Sequence, residues 1–182
     1  MFLDIQGVLY NKSSLIHSKV EELFPESKSR RNYHYNIAAT HYFDPKAVAH
    51  LETLLEKTPN VGIVISSSWR MGYNLEALRE IFSLYNFSKF IIGKTPDDLS
   101  SDGDGSRVSA FAMRKFTGRA LEIACWLENH PEVVRFVILD DYDSGLSKGF
   151  PAHFIETDAR KLLTEDDVAK AFELLDLQKN LF

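Results

Sequence analysis

Short runs of apolar residues alternate with amphipathic segments along the chain, and this alternation limits the possible folds more than any other feature. Five runs are predicted as strands: residues 2–5, 61–65, 90–92, 136–139 and 153–156. The run V-G-I-V-I at 61–65 is almost continuously apolar, as a parallel strand buried on both faces requires. Strands that alternate with helices predict an α/β fold, with a mostly parallel sheet and helices on both faces.

The residues between these strands show helical periodicity. Helices are predicted over residues 44–57, 75–84, 119–128 and about 164–177. Asp44 is placed as the N-cap of the first helix, with Pro45 at the first helical position. Thr164 and Asp167 have the spacing of a capping box at the start of the last helix.

Two segments show neither pattern. Residues 10–43 are predicted as a small insertion, and residues 94–118, rich in Gly, Ser and Asp, as a long loop. A length of 182 residues suits one domain, so residues 1–182 are predicted to form a single domain that carries both segments.

Composition and charge exclude several classes of protein. Lysine and arginine total 21 against 26 for aspartate and glutamate, so the net charge of −5 does not draw the chain non-specifically to phosphate backbones or anionic lipid, although a local basic patch could still do so. Cys125 is the single cysteine and cannot form an internal disulfide, which fits a reducing compartment. The apolar runs are too short to span a membrane, and the first residues lack a signal-peptide pattern. We therefore expect a cytoplasmic protein.

Polar clusters follow three of the predicted strands. Asp4 ends the first strand, serines follow the second at 66–68, and Asp140 and Asp141 end the fourth. Ligands of open α/β sheets bind outside the carboxyl ends of the strands, so these clusters indicate one site. Converging carboxylates suit a hard cation such as magnesium, and hydroxyl and basic groups suit a phosphoryl group. An aspartate beside such a metal could attack phosphorus.

Four motifs carry a resemblance to a known family. They are L-D-I-Q-G-V-L at 3–9, V-I-S-S-S-W-R at 64–70, R-A-L-E-I followed by W-L at 119–127, and I-L-D-D at 138–141. In this order they resemble the haloacid dehalogenase (HAD) superfamily, above all its small bacterial branch with an S-S-W-R second motif. The resemblance implies a Rossmann-like HAD fold. Neither segment outside the periodic pattern reaches the size of a full cap domain, so an open site is expected.

The resemblance also implies a role for each matching residue. Asp4 would be the nucleophile and a magnesium ligand, and Ser66 or Ser67 would bind the phosphoryl oxygens. Arg119 would hold the phosphoryl group and the nucleophile, with Lys94, Arg114 and Lys115 as its competitors. The remaining magnesium ligands would come from Asp140, Asp141 and the backbone carbonyl of Gln6.

Gln6 departs from the family's pattern. Phosphatases of this family carry a second aspartate there, which protonates the leaving group and later activates water, and an amide does neither. Three explanations stay open: a degenerate member that only binds, an engineered substitution, or an enzyme whose substrates need little acid help. The third favours aryl phosphates, because a phenolate leaving group has a pKa of about 10 and an alkoxide one of about 16.

The favoured function is a magnesium-dependent phosphatase of phosphotyrosyl protein that works through an aspartyl phosphate. One alternative is a nucleic-acid end phosphatase, since the branch includes domains placed with RNA-repair enzymes, although the acidic net charge counts against it. Another is a catalytically impaired HAD fold that binds a phosphorylated partner. The basic and aromatic segment 28–35 could dock either macromolecule. The apolar end of the sequence, residues 174–182, suggests part of a longer bacterial effector delivered into host cells.

Overall fold

The computed structural model describes residues 1–11, 43–71, 73–96, 99 and 108–178. Its strands are β1 Phe2–Leu3, β2 Ile63–Ile65, β3 Ile91–Lys94, β4 Ile138–Asp140 and β5 Phe154–Glu156. Its helices are α1 Pro45–Lys57, α2 Leu75–Ile81, α3 Ala110–Lys115, α4 Gly118–Glu128, α5 Leu146–Gly149 and α6 Glu165–Leu177. Two 3₁₀ turns lie at Ser68–Arg70 and Asn86–Phe90. None of the described helices is long and apolar enough to cross a membrane.

The five strands form one sheet in the order β3-β2-β1-β4-β5, and every pair of neighbours is parallel. Leu3 in the central strand pairs with Ile65 on one side and Leu139 on the other. All carboxyl ends therefore meet at one edge, so the residues after β1, β2 and β4 become neighbours. The predicted α/β fold is confirmed.

Both faces of the sheet are covered, as the alternation of side chains along each strand requires. Leu3, Ile65 and Leu139 pack in one cluster with apolar residues of α1 and α6, among others. Their neighbours Phe2, Val64 and Ile138 point the opposite way and pack in a second cluster with residues of α3, α4 and α5. β1 and β2 are buried on both sides, which explains why their sequences are apolar without a break, whereas the edge strands β3 and β5 are partly exposed.

Two helix starts were predicted from their caps, and both are confirmed. The Asp44 side chain accepts hydrogen bonds from the backbone N–H groups of Lys46 and Ala47, at 2.8 and 3.0 Å. Thr164 and Asp167 form a complete capping box at the start of α6. In both cases a side-chain oxygen satisfies backbone donors that the first turn of a helix leaves without partners.

The predicted loop at 94–118 needs correction. Lys94 belongs to β3, and residues 110–115 form α3, whose N-cap Ser109 accepts from the N–H of Ala112 at 3.0 Å. A helix of six residues is too short for hydrophobic periodicity to reveal. The strand bounds also differ from the predictions, because β1, β2 and β5 are shorter, β3 covers 91–94 rather than 90–92, and β4 covers 138–140 rather than 136–139. Most of the insertion at 10–43 lies outside the described residues.

Candidate active site

Asp4 follows the central strand directly and lies at the middle of the carboxyl edge. Its backbone N–H donates to the carbonyl oxygen of Leu139 at 2.9 Å. This bond continues the hydrogen-bond ladder between β1 and β4, so it fixes the position of the Asp4 backbone. Asp4 is only 7% exposed. Its carboxylate accepts hydrogen bonds from the Ser67 hydroxyl and from the backbone of Ile5. The predicted nucleophile is thus held by the residue that follows it and by the loop after β2.

The three serines after β2 occupy different environments. Ser67 is fully buried, its hydroxyl contacts Asp4, and it also caps the 3₁₀ turn by accepting from the N–H of Trp69 at 3.5 Å. The Ser66 hydroxyl is buried and has no hydrogen-bond partner among the described residues. Ser68 points outward and is exposed. The sequence left the choice between Ser66 and Ser67 open, and the geometry brings Ser67 to Asp4.

Arg119 reaches the site from the first turn of α4. Its Nη1 lies 3.5 Å from Asp4 Oδ1, its Nε lies 3.4 Å from Asp140 Oδ2, and it also donates to the carbonyl oxygen of Ser66. The Ser144 hydroxyl accepts from the Arg119 backbone N–H at 3.1 Å, which anchors the start of the helix to the loop after β4. The sequence analysis did not identify Ser144, because a contact between residues 25 positions apart leaves no local sequence pattern.

The competing basic residues are occupied elsewhere or lie at the surface. The Lys94 ammonium donates to the carbonyl oxygens of Arg70 and Tyr73, at 3.1 and 2.9 Å. Arg114 and Lys115 are exposed on α3, and the Lys115 ammonium lies over the Phe116 ring. Of the four basic residues that the sequence offered, Arg119 is the one placed between the carboxylates.

Three carboxylates converge at the same edge. Asp4, Asp140 and Asp141 each offer an oxygen, and these oxygens all lie within 4.8 Å of one another. Asp140 Oδ1 accepts from the N–H of Tyr142 at 3.0 Å, whereas the buried Oδ2 accepts no hydrogen bond from the described residues. Arg119 Nε lies 3.4 Å from this Oδ2, but one guanidinium cannot balance three converging carboxylates, and a hard divalent cation is the further partner that this donor set suits. The trio could hold a divalent metal.

Burial and mutual repulsion shift the acidities of this trio. Burial raises the pKa of Asp4 to about 6, against the opposing effect of the Arg119 charge. Burial and the neighbouring Asp4 charge raise the pKa of Asp140 to about 8. A bound cation favours the ionised forms of both groups, so the site is built for carboxylates that have a positive partner.

The turn after β1 packs tightly against the acidic trio. Gly7 has a positive φ of 78°, and a side chain there would place its Cβ 2.1 Å from Asp141 Cγ. The Gly7 carbonyl accepts from the Thr157 hydroxyl at 3.1 Å, which ties the turn to the end of β5. Gly7 and Thr157 therefore shape the site. Gln6 lies half-buried on this turn, and its roles as carbonyl ligand and missing acid stay predictions.

Residues 12–42, which hold most of the predicted insertion and the basic segment 28–35, lie outside the described residues, as do residues 97–98 and 100–107. The predicted openness of the site and the docking role of residues 28–35 stay predictions.

A family model described as the HAD domain in Swiss Army Knife RNA repair proteins matches residues 1–168. The matched range includes every candidate site residue named above. No curated protein and no solved structure matches the chain.

Proposed function

Because the chain belongs to the family of HAD domains found in Swiss Army Knife RNA repair proteins, we propose that it removes a terminal phosphate from an RNA end. It carries a HAD-type phosphatase or hydrolase domain, as the sequence motifs predicted. The proposal goes further and names a magnesium-dependent reaction through an aspartyl phosphate at Asp4. The observation that carries it is the convergence of Ser67, Arg119, Asp140 and Asp141 around this one buried carboxylate.

The reaction has two steps at Asp4. A carboxylate oxygen attacks phosphorus, and the bond to the leaving oxygen breaks as the aspartyl phosphate forms. The leaving oxygen keeps the bonding pair and takes its proton from solvent water, since the Gln6 amide supplies none. Water then attacks this phosphate, which releases inorganic phosphate and restores the carboxylate. The Ser67 hydroxyl and the Arg119 guanidinium donate to phosphoryl oxygens as negative charge develops on them. Magnesium, held by Asp4, Asp140 and Asp141, would supply further positive charge and keep the nucleophile ionised.

Local charge supports a nucleic-acid substrate more than net charge does. Residues 12–42 carry five lysines and arginines against three glutamates, although the whole chain has a net charge of −5. This segment follows Asn11, whose side-chain amide donates to the Ala159 carbonyl at 2.9 Å, beside the end of β5. The basic residues that follow Asn11 in the sequence are of the type that contacts a phosphate backbone.

Gln6 supports a second candidate, phosphotyrosyl protein. Without a carboxyl group at this position, an alkoxide leaving group gains no proton from it, and a phenolate needs none. The two candidates differ in their leaving groups, so substrate comparison separates them.

The test is kcat/KM for an oligoribonucleotide with a terminal phosphate and for a phosphotyrosyl peptide, each with magnesium and with a chelator. We expect preference for the oligoribonucleotide, dependence on magnesium, and no turnover by Asp4→Asn. Preference for the peptide would overturn the RNA assignment in favour of the second candidate. Turnover of neither substrate, with retained binding of one, would point to a phosphate-binding domain instead.

A further inference from the structure

Two residues from the family motifs have no part in the mechanism above, yet they contact each other. Arg70 ends the S-S-W-R motif, and Glu122 lies in the R-A-L-E-I stretch of α4. Arg70 Nη2 lies 2.7 Å from Glu122 Oε1, and the two side chains are only 4% and 23% exposed. A buried ion pair repays its desolvation only when its other groups are hydrogen-bonded as well.

Arg70 meets this condition through two main-chain carbonyls, whereas the second carboxylate oxygen of Glu122, Oε2, is buried without a hydrogen bond from the described residues. Arg70 Nη1 donates to the Ser67 carbonyl at 2.9 Å, and its Nε donates to the Pro96 carbonyl, just beyond β3, at 3.1 Å. One guanidinium therefore joins the serine loop, the end of β3 and helix α4. Lysine could not replace it, because an ammonium lacks the planar fork that serves three acceptors at once.

Glu122 lies one helical turn after Arg119 on the same face of α4. Arg119 donates to the Ser66 carbonyl, and Arg70, held by Glu122, donates to the Ser67 carbonyl. Two successive peptide groups of the loop are thus held by guanidinium groups linked to one helix. This arrangement sets the direction of the Ser67 backbone, and so of the hydroxyl that contacts Asp4.

The other side of the loop is fixed by Trp69. Its ring is fully buried, with its centroid 5.8 Å from that of Tyr10 and 5.5 Å from that of Phe82. Trp69 therefore anchors the loop in the core beneath one face of the sheet. Arg70, the next residue, anchors it to α4 on the opposite face.

We propose that Arg70 and Glu122 form a positioning pair, which holds the Ser67 hydroxyl and the Arg119 guanidinium in register with Asp4. The pair touches neither phosphorus nor the reacting oxygens. It acts by locking the loop after β2 to the helix that carries Arg119. The inference rests on the proposed function for its catalytic consequence, but the locking itself is a property of the fold.

The catalytic test uses Arg70→Lys and Glu122→Gln, with Arg79→Lys as the matched control. Arg79 also donates through its guanidinium to a main-chain carbonyl, that of Ile91, at 2.9 and 2.7 Å, but at the opposite end of β3. We expect the first two variants to lose up to about 10²-fold in kcat on an aryl phosphate, since small misplacements cost that much. Their affinity for orthophosphate should also fall. The control should keep both values.

A second measurement keeps the inference independent of turnover. Amide hydrogen exchange should become faster at residues 67–71 and 119–122 in Glu122→Gln, and stay unchanged there in Arg79→Lys. Folded Glu122→Gln and Arg70→Lys proteins with unchanged exchange at the loop and parental phosphate affinity would overturn the inference. If the parent hydrolyses no phosphate ester, the proposed function fails, and the exchange pattern alone then decides whether the pair locks the loop.

Discussion

The Nη1 atom of Arg119 lies 3.5 Å from Oδ1 of Asp4, although 115 residues separate the two along the chain. The same guanidinium lies 3.4 Å from Asp140. One half-buried positive charge therefore faces the predicted nucleophile and one of its acidic neighbours. This contact joins the first and third motifs of the sequence into one site.

Replacement of Arg119 by lysine is the first prediction. Arg119→Lys keeps the charge but loses the planar fork that contacts Asp4, Asp140 and the Ser66 carbonyl. We expect kcat/KM on an aryl phosphate to fall by about 10²–10³-fold, the usual effect of removing a donor to developing negative charge. Arg114→Lys, at an exposed position on α3, should retain parental activity. Equal losses in both variants would argue against a role for Arg119 at the site.

The second prediction concerns stability and pH without metal. In the folded protein the pKa values of Asp4 and Asp140 are raised to about 6 and about 8, whereas the pKa of an aspartate in the unfolded chain is about 3.9. Between pH 4 and 8 the unfolded chain therefore binds fewer protons at these groups, and their contribution to the free energy of unfolding falls as pH rises. Urea unfolding in the presence of a chelator should show this loss of stability. In Asp140→Asn the free energy of unfolding should depend less on pH.

Added magnesium supplies the control for this prediction. A cation bound by the carboxylates favours their ionised forms, so it should raise the free energy of unfolding most at high pH. The effect should be much smaller in Asp140→Asn. A pH dependence that is identical in the parent and in Asp140→Asn would show that these carboxylates do not carry it.

Gln6→Asp is the third prediction. If the missing acid limits this chain, the substitution should raise phosphoryl transfer from an alkyl phosphate by about 10²–10⁴-fold, as general acid catalysis does. An aryl phosphate should gain less in this step, because its leaving group needs less help. The measurement is kcat/KM for both substrates in the parent and the variant. The same activity in the two proteins on both substrates would contradict the assignment of position 6 as the acid.

The fourth prediction uses an aromatic residue beside the trio. Tyr142 is 72% exposed, and its backbone N–H donates to Asp140 Oδ1. A base next to a terminal phosphate could stack on this ring, an interaction of about 1–3 kcal/mol per base. Tyr142→Ala should therefore weaken kcat/KM for an oligoribonucleotide by about 10–100-fold and leave a small aryl phosphate unaffected.

The matched control for Tyr142 is Phe111→Ala. Phe111 is 66% exposed on α3, a helix whose start is tied to the far end of α4 by the 2.6 Å contact of Ser109 with Glu128. This substitution should change neither activity. An equal effect of Tyr142→Ala on the oligoribonucleotide and the aryl phosphate would speak against stacking.

Much of the fold could be predicted because its signals are local. The apolar runs, the Asp44 and Thr164 caps, and the polar residues after each strand all lie within a few positions of the element they define. The parallel sheet then brings Asp4, Asp140 and Asp141 together, since its carboxyl ends share one edge. The family match confirms the HAD resemblance carried by these motifs.

The remaining features depend on contacts that no local pattern contains. Arg70 contacts Glu122, which lies 52 residues further along the chain. Glycine is needed at position 7 because the turn there packs against Asp141, which follows β4. The choice between Ser66 and Ser67 depended on the direction of one turn. The substrate, the delivery as an effector and the cytoplasmic location stay predictions, because none of them follows from the core of the fold.

The most direct test of the account is phosphorylation of Asp4 itself. The parent chain, which lacks a carboxyl group at position 6 to activate water, should accumulate aspartyl phosphate when it is mixed with magnesium and an aryl phosphate and quenched in acid. Mass spectrometry should place one phosphoryl group on the peptide that contains Asp4, with none in Asp4→Asn. Turnover with no label at Asp4, or turnover that persists in Asp4→Asn, would contradict the account.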